Sequence, residues 1–340
     1  MTVRLNAADA AGRPARVAFL LISGFAMISY ASAIEAVRAA NSVARRELYS
    51  WHNVTCDGAP AVASNGVEIG PECSVRSSDK FDLVFVISSD EALAFRDPTT
   101  LRWLRQQGAA GAVIGGIGGG AFLLARAGLL NGYRLTVHWV YAPTFSEEFP
   151  EADLRRSLYE IDRNRITCGG GISSLDMMHA LLRREHGEAL ALGVSEWFLH
   201  TDIREGQKPQ RLSFQARLGV CHPGLIRALE AMENALEEPL DRTDLAAIAG
   251  VSERHLDRLF LSQIGTALSV YYLAQRLERA RQLVQQSSLS LLEVAMACGF
   301  NRASTFSKSY RRTFNVAPST DRSNALRRGR ARANPPRLME

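Results

Sequence analysis

One short pattern occurs twice in this chain, first as Leu245-Ala246-Ala247-Ile248-Ala249-Gly250-Val251-Ser252 and, 49 residues later, within Glu293-Val294-Ala295-Met296-Ala297-Cys298-Gly299-Phe300-Asn301. In each copy an alanine precedes a glycine by four residues, apolar residues flank the glycine, and a basic amphipathic segment follows. Two helices that cross closely need a small residue at the crossing, and the tight turn between them needs a glycine in the left-handed conformation. The pattern therefore predicts two helix-turn-helix units, which are typical of proteins that bind duplex DNA.

The two units are predicted at 241–263 and 290–314. Ser290 and Glu293 have the spacing of a capping box, which marks a helix start. A helix over about 267–284 is predicted to join the units and to set their separation. Two units on a rigid connector suit successive major grooves, roughly 34 Å apart. A monomer would then cover two adjacent half-sites, and a homodimer would cover a direct or an inverted repeat.

The second helix of each unit, at 252–263 and at 301–313, is predicted to read the DNA. The residues expected on the exposed face are Ser252, Glu253, Arg254, His255 and Arg258 in the first helix, and Asn301, Arg302, Ser304, Thr305, Lys308, Arg311 and Arg312 in the second. An arginine can make a bidentate contact with guanine, which discriminates between bases. Arg311 and Arg312 are expected on phosphates, where they add affinity but little sequence choice.

Charge is distributed unevenly along the chain. Residues 1–221 carry 23 basic and 23 acidic side chains, whereas residues 222–340 carry 17 basic and 12 acidic ones, so the whole formal net charge of +5 lies in the rear part. Residues 302–332 alone hold nine basic side chains and a single acidic one. A neutral front and a basic rear indicate that only the rear meets a polyanion.

The first two-thirds of the chain alternates strand and helix patterns. Short apolar strands are predicted at 16–22, 82–87, 111–114, 134–139 and 165–168, and amphipathic helices at 29–43, 99–107, 121–127, 174–185 and 189–199. This alternation predicts a doubly wound, flavodoxin-like α/β domain. From residue 222 onward the strand patterns vanish, and an all-α double helix-turn-helix domain is expected.

The resulting domain plan has five parts. They are a disordered tail at 1–14, the α/β domain at 15–203, a linker at 204–221, the DNA-binding domain at 222–322 and a basic tail at 323–340. The linker is placed where the chain turns polar, with Gly206 and Pro209 interrupting the periodic pattern.

The five cysteines form no pair or cluster with metal-binding spacing, so neither a metal site nor a cofactor is expected. Scattered single thiols suit a reducing compartment. The first 14 residues lack the pattern of a signal peptide, and no apolar run approaches the roughly 18 residues that span a bilayer. We therefore expect a soluble, cytoplasmic protein without membrane contact.

The last hundred residues resemble the DNA-binding domain of the AraC/XylS transcriptional regulators. The resemblance rests on 245–260, on Arg276-Leu277-Glu278-Arg279-Ala280, on Phe306-Ser307-Lys308 and on Ala317-Pro318, besides the second copy of the pattern. Three positions depart from the family pattern, at Ala267-Leu268, Asn315 and Asp321, and we expect them to weaken the second turns slightly. The resemblance implies promoter DNA and RNA polymerase as partners.

The front part resembles the PfpI-like, class I glutamine-amidotransferase-like domain. The match runs through Phe19-Leu20-Leu21-Ile22-Ser23-Gly24-Phe25, the stretch from Glu35 to Asn41, the stretch from Ala121 to Leu130, and His138-Trp139. Together the two resemblances indicate the GlxA-type branch, some of whose members respond to arginine, glycine betaine or carnitine.

Catalytic relatives hold a cysteine nucleophile on a strand-to-helix elbow, where its pKa is lowered. The matching position here is Gly118, which has no reactive atom, and Ser88-Ser89 replaces the usual glycines of the neighbouring strand end. We therefore expect no enzyme. The residues expected to bind a small effector are Glu35, Gly118, Gly119, Gly120, His138 and Trp139.

The sequence as a whole predicts a DNA-binding transcriptional regulator, an activator as most members of the family are. Its effector is expected to be a small nitrogen-containing zwitterion, because a helix N-terminus favours a carboxylate and an aromatic face such as that of Trp139 or Tyr141 favours a cation. Two alternatives remain open at this stage. One is a hydrolase of the amidotransferase-like class with a DNA-binding appendage, and the other is an architectural DNA-binding protein that ignores metabolites.

Overall fold

The computed structural model describes residues 13–287 and 289–333. Residues 1–12 of the predicted front tail and residues 334–340 of the predicted basic tail lie outside that part. The chain divides into two compact units, Met1–Gln210 and Arg211–Glu340.

The first unit is built on a seven-stranded sheet with the order β5-β2-β1-β6-β7-β11-β10. The strands of the unit are β1 Ala15–Leu21, β2 Tyr49–Thr55, β3 Ala61–Val62, β4 Glu68–Ile69, β5 Cys73–Ser74, β6 Leu83–Ser88, β7 Val113–Gly118, β8 Arg134–Leu135, β9 Asp153–Leu154, β10 Tyr159–Asp162 and β11 Arg165–Cys168. All pairings of the large sheet are parallel except that of β10 with β11. The predicted doubly wound α/β fold is confirmed.

Helices cover both faces of the sheet. They are α1 Met27–Ala44, α2 Glu91–Ala94, α3 Pro98–Ala109, α4 Gly120–Arg126, α5 Ala142–Glu148, α6 Ser173–His186 and α7 Glu188–Trp197. Side chains alternate between the faces along each strand. On β1, Phe19 packs in the core beneath α1, α6 and α7, whereas Leu20 packs in the core beneath α3, α4 and α5. Such two-sided burial explains why the central strands read as continuous apolar runs.

The strand predicted over 134–139 is wrong beyond Leu135. The short strand β8 pairs with β9 outside the large sheet. At Thr136, hydrogen bonds that involve side chains take the place of backbone strand pairing. The Thr136 N–H donates to Thr167 Oγ1 at 2.8 Å, and the Thr136 hydroxyl donates to Ser157 O at 2.8 Å. The chain therefore turns away from the sheet before it reaches His138.

The second unit is entirely helical in its described residues. Its helices are α8 Phe214–Leu218, α9 Pro223–Asn234, α10 Arg242–Ala249, α11 Glu253–Leu259 with a π-helical turn Phe260–Ile264, α12 Leu268–Gln286, α13 Leu291–Ala297, α14 Ala303–Phe314 and α15 Pro318–Ala333. The long α12 supplies Tyr272 to one apolar core and Leu283 to a second. Each helix-turn-helix thus has its own core, and α12 connects them as predicted.

The segment predicted as a linker, 204–221, is divided between the two units; Gly206, Phe214 and Val220 are buried, but most of its other residues are exposed. Residues up to Gln210 belong to the first unit, and Arg211 begins the second. Ser213 caps α8, whose Phe214 is buried. The predicted start of the basic tail at residue 323 falls inside α15, which continues to Ala333.

Candidate nucleic-acid interface and ligand site

The first helix-turn-helix forms as its sequence requires. Gly250 adopts a φ of 70° between α10 and α11, and Ala246 is buried at the helix crossing. The guanidinium of Arg227, on α9, donates to the carbonyl oxygens of Ile248 and Ala249 at 3.0 and 2.8 Å. These bonds satisfy carbonyls that the end of a helix leaves without partners.

The second helix-turn-helix repeats the same arrangement. Gly299 has a φ of 71°, and a methyl group added there would lie 2.5 Å from Pro239 Cγ. Arg276, on α12, donates to the carbonyl oxygens of Cys298 and Gly299, with its Nε 2.8 Å from Cys298 O. The sequence analysis did not predict that Arg227 and Arg276 would cap the carbonyls of these turns. A basic residue close to the apolar face of a helix was the signal that could have indicated it.

Most of the side chains predicted to contact DNA lie on the surface. The exposed ones are Ser252, Arg254, Arg258, Asn301, Arg302, Ser304, Thr305, Lys308, Arg311 and Arg312. Within the described part of the chain, none of the five arginines in this set forms an ion pair. The opposite faces of the two helices are buried through Leu256 and Phe306. Each helix therefore presents free cationic groups on its outer face.

Three predicted contact residues are engaged within the protein. The hydroxyl of Ser252 caps α11 by accepting from the N–H of His255 at 3.3 Å. The carboxylate of Glu253 accepts from Thr243 Oγ1 at 2.9 Å and pairs with Arg242 at 3.3 Å. His255 is half-buried beside His222, with 5.9 Å between the ring centroids. These contacts hold α11, the first of the two predicted recognition helices, and leave Arg254 and Arg258 as its exposed cationic side chains.

Asp321 fastens the second recognition helix to its surroundings. It is 2% exposed and accepts from Tyr310 of α14 at 2.8 Å, and from Gln285 and Arg281 of α12 at 3.1 and 3.2 Å. Burial alone would raise the pKa of Asp321, but these hydrogen bonds and the Arg281 charge outweigh it and hold the pKa below its ordinary value. Asp321, which departs from the family pattern, is therefore a buried carboxylate that links α12, α14 and α15 by hydrogen bonds.

The other two departures are also accommodated. Asn315 ends α14 in the left-handed conformation with a φ of 56°, which asparagine tolerates better than most residues. Ala267 precedes α12 without a side-chain cap, and Leu268 is buried beside it. Of the local weakening expected at Ala267-Leu268 and Asn315, the structure shows only the missing side-chain cap at the start of α12.

In the first unit the elbow keeps the geometry of a nucleophile turn without a nucleophile. Gly118 ends β7 with a φ of 63° and is buried. A methyl group there would lie 2.7 Å from the carbonyl oxygen of Ser88. The turn after β11 covers the elbow, since Gly171 N–H donates to Ser29 Oγ at 2.7 Å and Gly170 packs on Gly118.

Gly119 and Gly120 are engaged by the neighbouring strand in the same way. The N–H of Gly119 donates to Ser88 O at 2.8 Å, so this group is already used. A methyl group at Gly120 would lie 2.1 Å from Val86 O. The structure thus gives these predicted ligand-binding glycines a packing role, and the helix that they open, α4, is only seven residues long.

An open group of polar side chains lies beside the elbow. Tyr141 donates its hydroxyl to Asp90 Oδ1 at 2.8 Å. The ring of His138 lies 5.7 Å from that of Tyr141 and 5.6 Å from that of Trp139, which is 41% exposed. Burial raises the pKa of Tyr141, and the neighbouring Asp90 charge raises it further. Burial also lowers the pKa of His138, which favours the neutral imidazole at pH 7.

Two acidic residues complete this group, and sequence reasoning missed both. Asp90 and Glu91 come directly after the end of β6, next to the elbow at the end of β7. The carboxylate of Glu91 lies against Gly24, which follows β1, because a methyl group at Gly24 would fall 2.0 Å from Glu91 Cδ. Carboxylates directly after a buried strand were the available signal. Ligands of open α/β sheets bind at this carboxyl edge, where the strand order reverses.

Glu35 is not part of this group. It lies about two turns inside α1, where its carboxylate is half-exposed and pairs with Arg38 at 2.7 Å. The expectation that Glu35 binds an effector together with His138 therefore has no support in the geometry. No three-residue cluster able to hold a metal ion occurs in the residues that the structure describes. None of the described helices is long and apolar enough to cross a bilayer.

Known proteins share both units. Residues 15–184 match the DJ-1/PfpI family, and residues 245–324 match a helix-turn-helix domain. The chain is 43% identical to the HTH-type transcriptional regulator GlxA of Rhizobium meliloti, over 90% of this chain and 94% of that protein. It is 41% identical to the HTH-type transcriptional regulator CdhR of Pseudomonas aeruginosa, over 89% and 90% of the two chains. A crystal structure of an AraC family regulator from Pseudomonas putida matches 54% of this chain and 100% of its own, with 28% identity and a TM-score of 0.50.

An α/β unit followed by two helix-turn-helix motifs with free cationic outer faces defines a DNA-binding transcriptional regulator. The chain belongs to the AraC-type regulators that carry a DJ-1/PfpI domain, the GlxA type. The predicted family and both predicted fold classes are confirmed.

Proposed function

We propose that this regulator is a transcription activator that binds promoter DNA through α11 and α14 and responds to a small nitrogen-containing zwitterion. The observation that carries the effector part is the grouping of Asp90, Glu91, His138, Tyr141 and the exposed Trp139 at the carboxyl edge of the sheet, which we call the effector group. RNA polymerase and a second copy of the chain are the protein partners that we propose.

The group suits the cationic end of such a molecule. Asp90 and Glu91 supply negative charge, and aromatic faces attract a quaternary ammonium or guanidinium group by about 0.5–2 kcal/mol each. Neutral His138 adds no opposing charge. Ser88 ends β6 with a hydroxyl that is 2% exposed and has no hydrogen-bond partner among the described residues, so it is a donor for the effector's carboxylate.

Replacing Asp90 with asparagine should weaken effector binding about tenfold, since about 1.4 kcal/mol of charge attraction is lost while the Tyr141 hydroxyl keeps an acceptor. Calorimetric titration of the full chain with glycine betaine, carnitine and L-arginine measures this. Glu47→Gln is the control, because Glu47 is exposed and lies just before β2, at the edge of the sheet opposite the group. No binding of any of the three compounds to the unsubstituted protein at millimolar concentration would contradict the effector assignment.

On the DNA side, Arg254→Ala should relax base preference at one operator position, with a loss of about 1–3 kcal/mol for the preferred base. Arg312→Ala should instead weaken binding to all sequences alike and lower the slope of log K against log salt by about one. Fluorescence anisotropy with promoter duplexes from the protein's own locus, and with single-base variants of them, separates the two effects. Equal loss of base preference in both variants would refute this assignment of roles.

We infer that the first unit does not catalyse hydrolysis. Gly118 offers no nucleophile, and Cys168, at the end of β11, is fully buried. Burial raises the pKa of the Cys168 thiol despite its hydrogen bonds with the Ser173 hydroxyl and the Gly170 N–H, so little reactive thiolate forms. An assay for amide or glycation hydrolysis tests this inference, and turnover above that of a heat-denatured sample would overturn it.

A further inference from the structure

The side chain of Gln210 turns back into the first unit at the point where the chain leaves it. Its Oε1 accepts from the N–H of Trp139 at 2.7 Å. Its Nε2 donates to Ser157 O at 2.7 Å, to Val137 O at 2.8 Å and to Thr136 Oγ1 at 3.1 Å. One amide therefore joins the 136–139 segment, which carries His138 and Trp139, to Ser157, and three of its four partner atoms belong to the backbone.

The fit around this amide is close. A methyl group at Gly169 would lie 2.9 Å from Gln210 Cδ, so glycine is required there for the amide to approach. Thr136 and Ser157 are both buried. Carbonyl groups in such a place need a donor, because a buried polar group left without a partner costs about 1–3 kcal/mol. Gln210 supplies this donor to Val137 O, whereas Ser157 O also accepts from the Thr136 hydroxyl.

The ten residues before Gln210 are held on the same unit. We call residues 200–210 the exit strap. Asp176 is fully buried and accepts from His200 Nε2 at 2.9 Å and from Arg204 Nη2 at 2.6 Å. Gly206 accepts from Leu158 N–H at 2.8 Å and has no room for a side chain beside Tyr159. The strap is therefore anchored to the first unit at His200, Arg204 and Gly206, although most of the residues between these anchors are exposed.

The next residue, Arg211, is already engaged in the second unit, where its guanidinium pairs with Glu233 of α9. Leu212, 70% exposed, is the one residue between this anchor and the Ser213 cap of α8. Arg211 thus follows Gln210 directly in the chain, and the cap of α8 follows at Ser213.

We propose that Gln210 is the positioning residue that couples the effector group to the DNA-binding unit. This inference rests on the proposed function, because it assigns a regulatory role to the same site. An effector that contacts Trp139 or His138 shifts the 136–139 backbone, to which the Gln210 amide is bonded. The exit strap then has two states. In the state seen here the Gln210 amide is hydrogen-bonded to the 136–139 segment, and in the other state these bonds are broken and the connection between the units is longer. A ligand shifts this equilibrium only by its different affinity for the two states.

The test uses the full chain and the variants Gln210→Ala and Gln210→Asn, with Gln207→Ala as the matched control. Gln207 lies on the same strap but is exposed, and its amide contacts Glu160 at 3.3 Å, away from the effector group. Without any effector, Gln210→Ala should change the Kd for the promoter duplex at least fivefold, and Gln210→Asn should change it in the same direction by less. Gln207→Ala should stay within twofold.

The second measurement repeats the DNA titration with glycine betaine, carnitine or L-arginine present. Any shift in Kd that the compound produces in the unsubstituted protein should vanish in Gln210→Ala, while the affinity for the compound itself stays within about threefold. If Gln210 had only a structural role, its substitution would not abolish the effector-dependent shift in DNA affinity while leaving the affinity for the compound unchanged. Unchanged DNA affinity in both Gln210 variants would overturn the proposal, and so would a retained effector-dependent shift. If the unsubstituted protein shows no promoter preference, the proposed function fails instead, which is a distinct result.

Discussion

Asp321→Ala should lower the free energy of unfolding of the DNA-binding unit by about 3 kcal/mol, because it leaves the buried hydroxyl of Tyr310 without an acceptor and opens a cavity. Tyr310 is fully buried between α12, α14 and α15. Arg281 is 39% exposed and can turn to solvent, so its loss of a partner adds little. Since α14 carries most of the free cationic groups, DNA affinity should fall with stability.

Calorimetry of the full chain measures this effect as a drop in the unfolding temperature of the second unit. Glu238→Ala is the control, because Glu238 is exposed on the same unit. Tyr310→Phe should cost less, about 1 kcal/mol, since Asp321 keeps its bonds from Gln285 and Arg281. A loss below about 1 kcal/mol for Asp321→Ala would show that Asp321 is not the hub of this helix.

The pH dependence follows from the same carboxylate. Because the pKa of Asp321 is lowered in the folded protein, its contribution is present above the ordinary aspartate pKa of about 3.9 and is lost as the pH falls below that value. The unsubstituted unit should therefore lose more stability than Asp321→Ala between about pH 5 and pH 2.

Gly120→Ala should destabilise the first unit by about 3 kcal/mol or more, because the added methyl group would lie 2.1 Å from Val86 O and 2.9 Å from Val86 C. Both atoms belong to the backbone of β6 in the centre of the sheet, so neither can move without breaking the ladder to β7. Gly120 has an ordinary negative φ, which leaves steric overlap as the cause.

Gly70→Ala is the matched control for this substitution. Nothing lies within 4 Å of a methyl group at Gly70, and its φ is not positive, so stability should change by less than about 0.5 kcal/mol. The unfolding temperature of the first unit, followed by near-ultraviolet circular dichroism, compares the two. A Gly120→Ala protein as stable as the control would mean that the glycine serves ligand approach and not packing.

The sequence predicted the local structure of the second unit more completely than that of the first. The capping box of Ser290 and Glu293, the left-handed turns at Gly250 and Gly299 and the exposed recognition arginines all depend on residues close in sequence. Local spacing therefore contained the information needed to place them.

The effector group was predicted only in part. His138 and Trp139 lie in it, but Glu35 is on the outer side of α1, and Asp90 and Glu91 were overlooked. The strand order places the end of β6 beside the end of β7, and a sequence pattern does not reveal which strand ends become neighbours. The polar stretch around Gly206 and Gln210 likewise reads as a linker, because its partners Asp176, Tyr159 and Thr136 lie 28 to 74 residues away in the chain.

The amino-acid sequence alone determined the class of fold, the two helix-turn-helix units and the loss of the elbow cysteine, because each follows from periodicity, from turn glycines or from the identity of one residue. The tertiary structure decided that the elbow glycines pack against β6, that Asp321 binds α14 to α12, and that Gln210 fastens the exit strap beside the effector group. These contacts join residues remote in sequence, and their geometry exists only once the sheet and the helix bundle have formed.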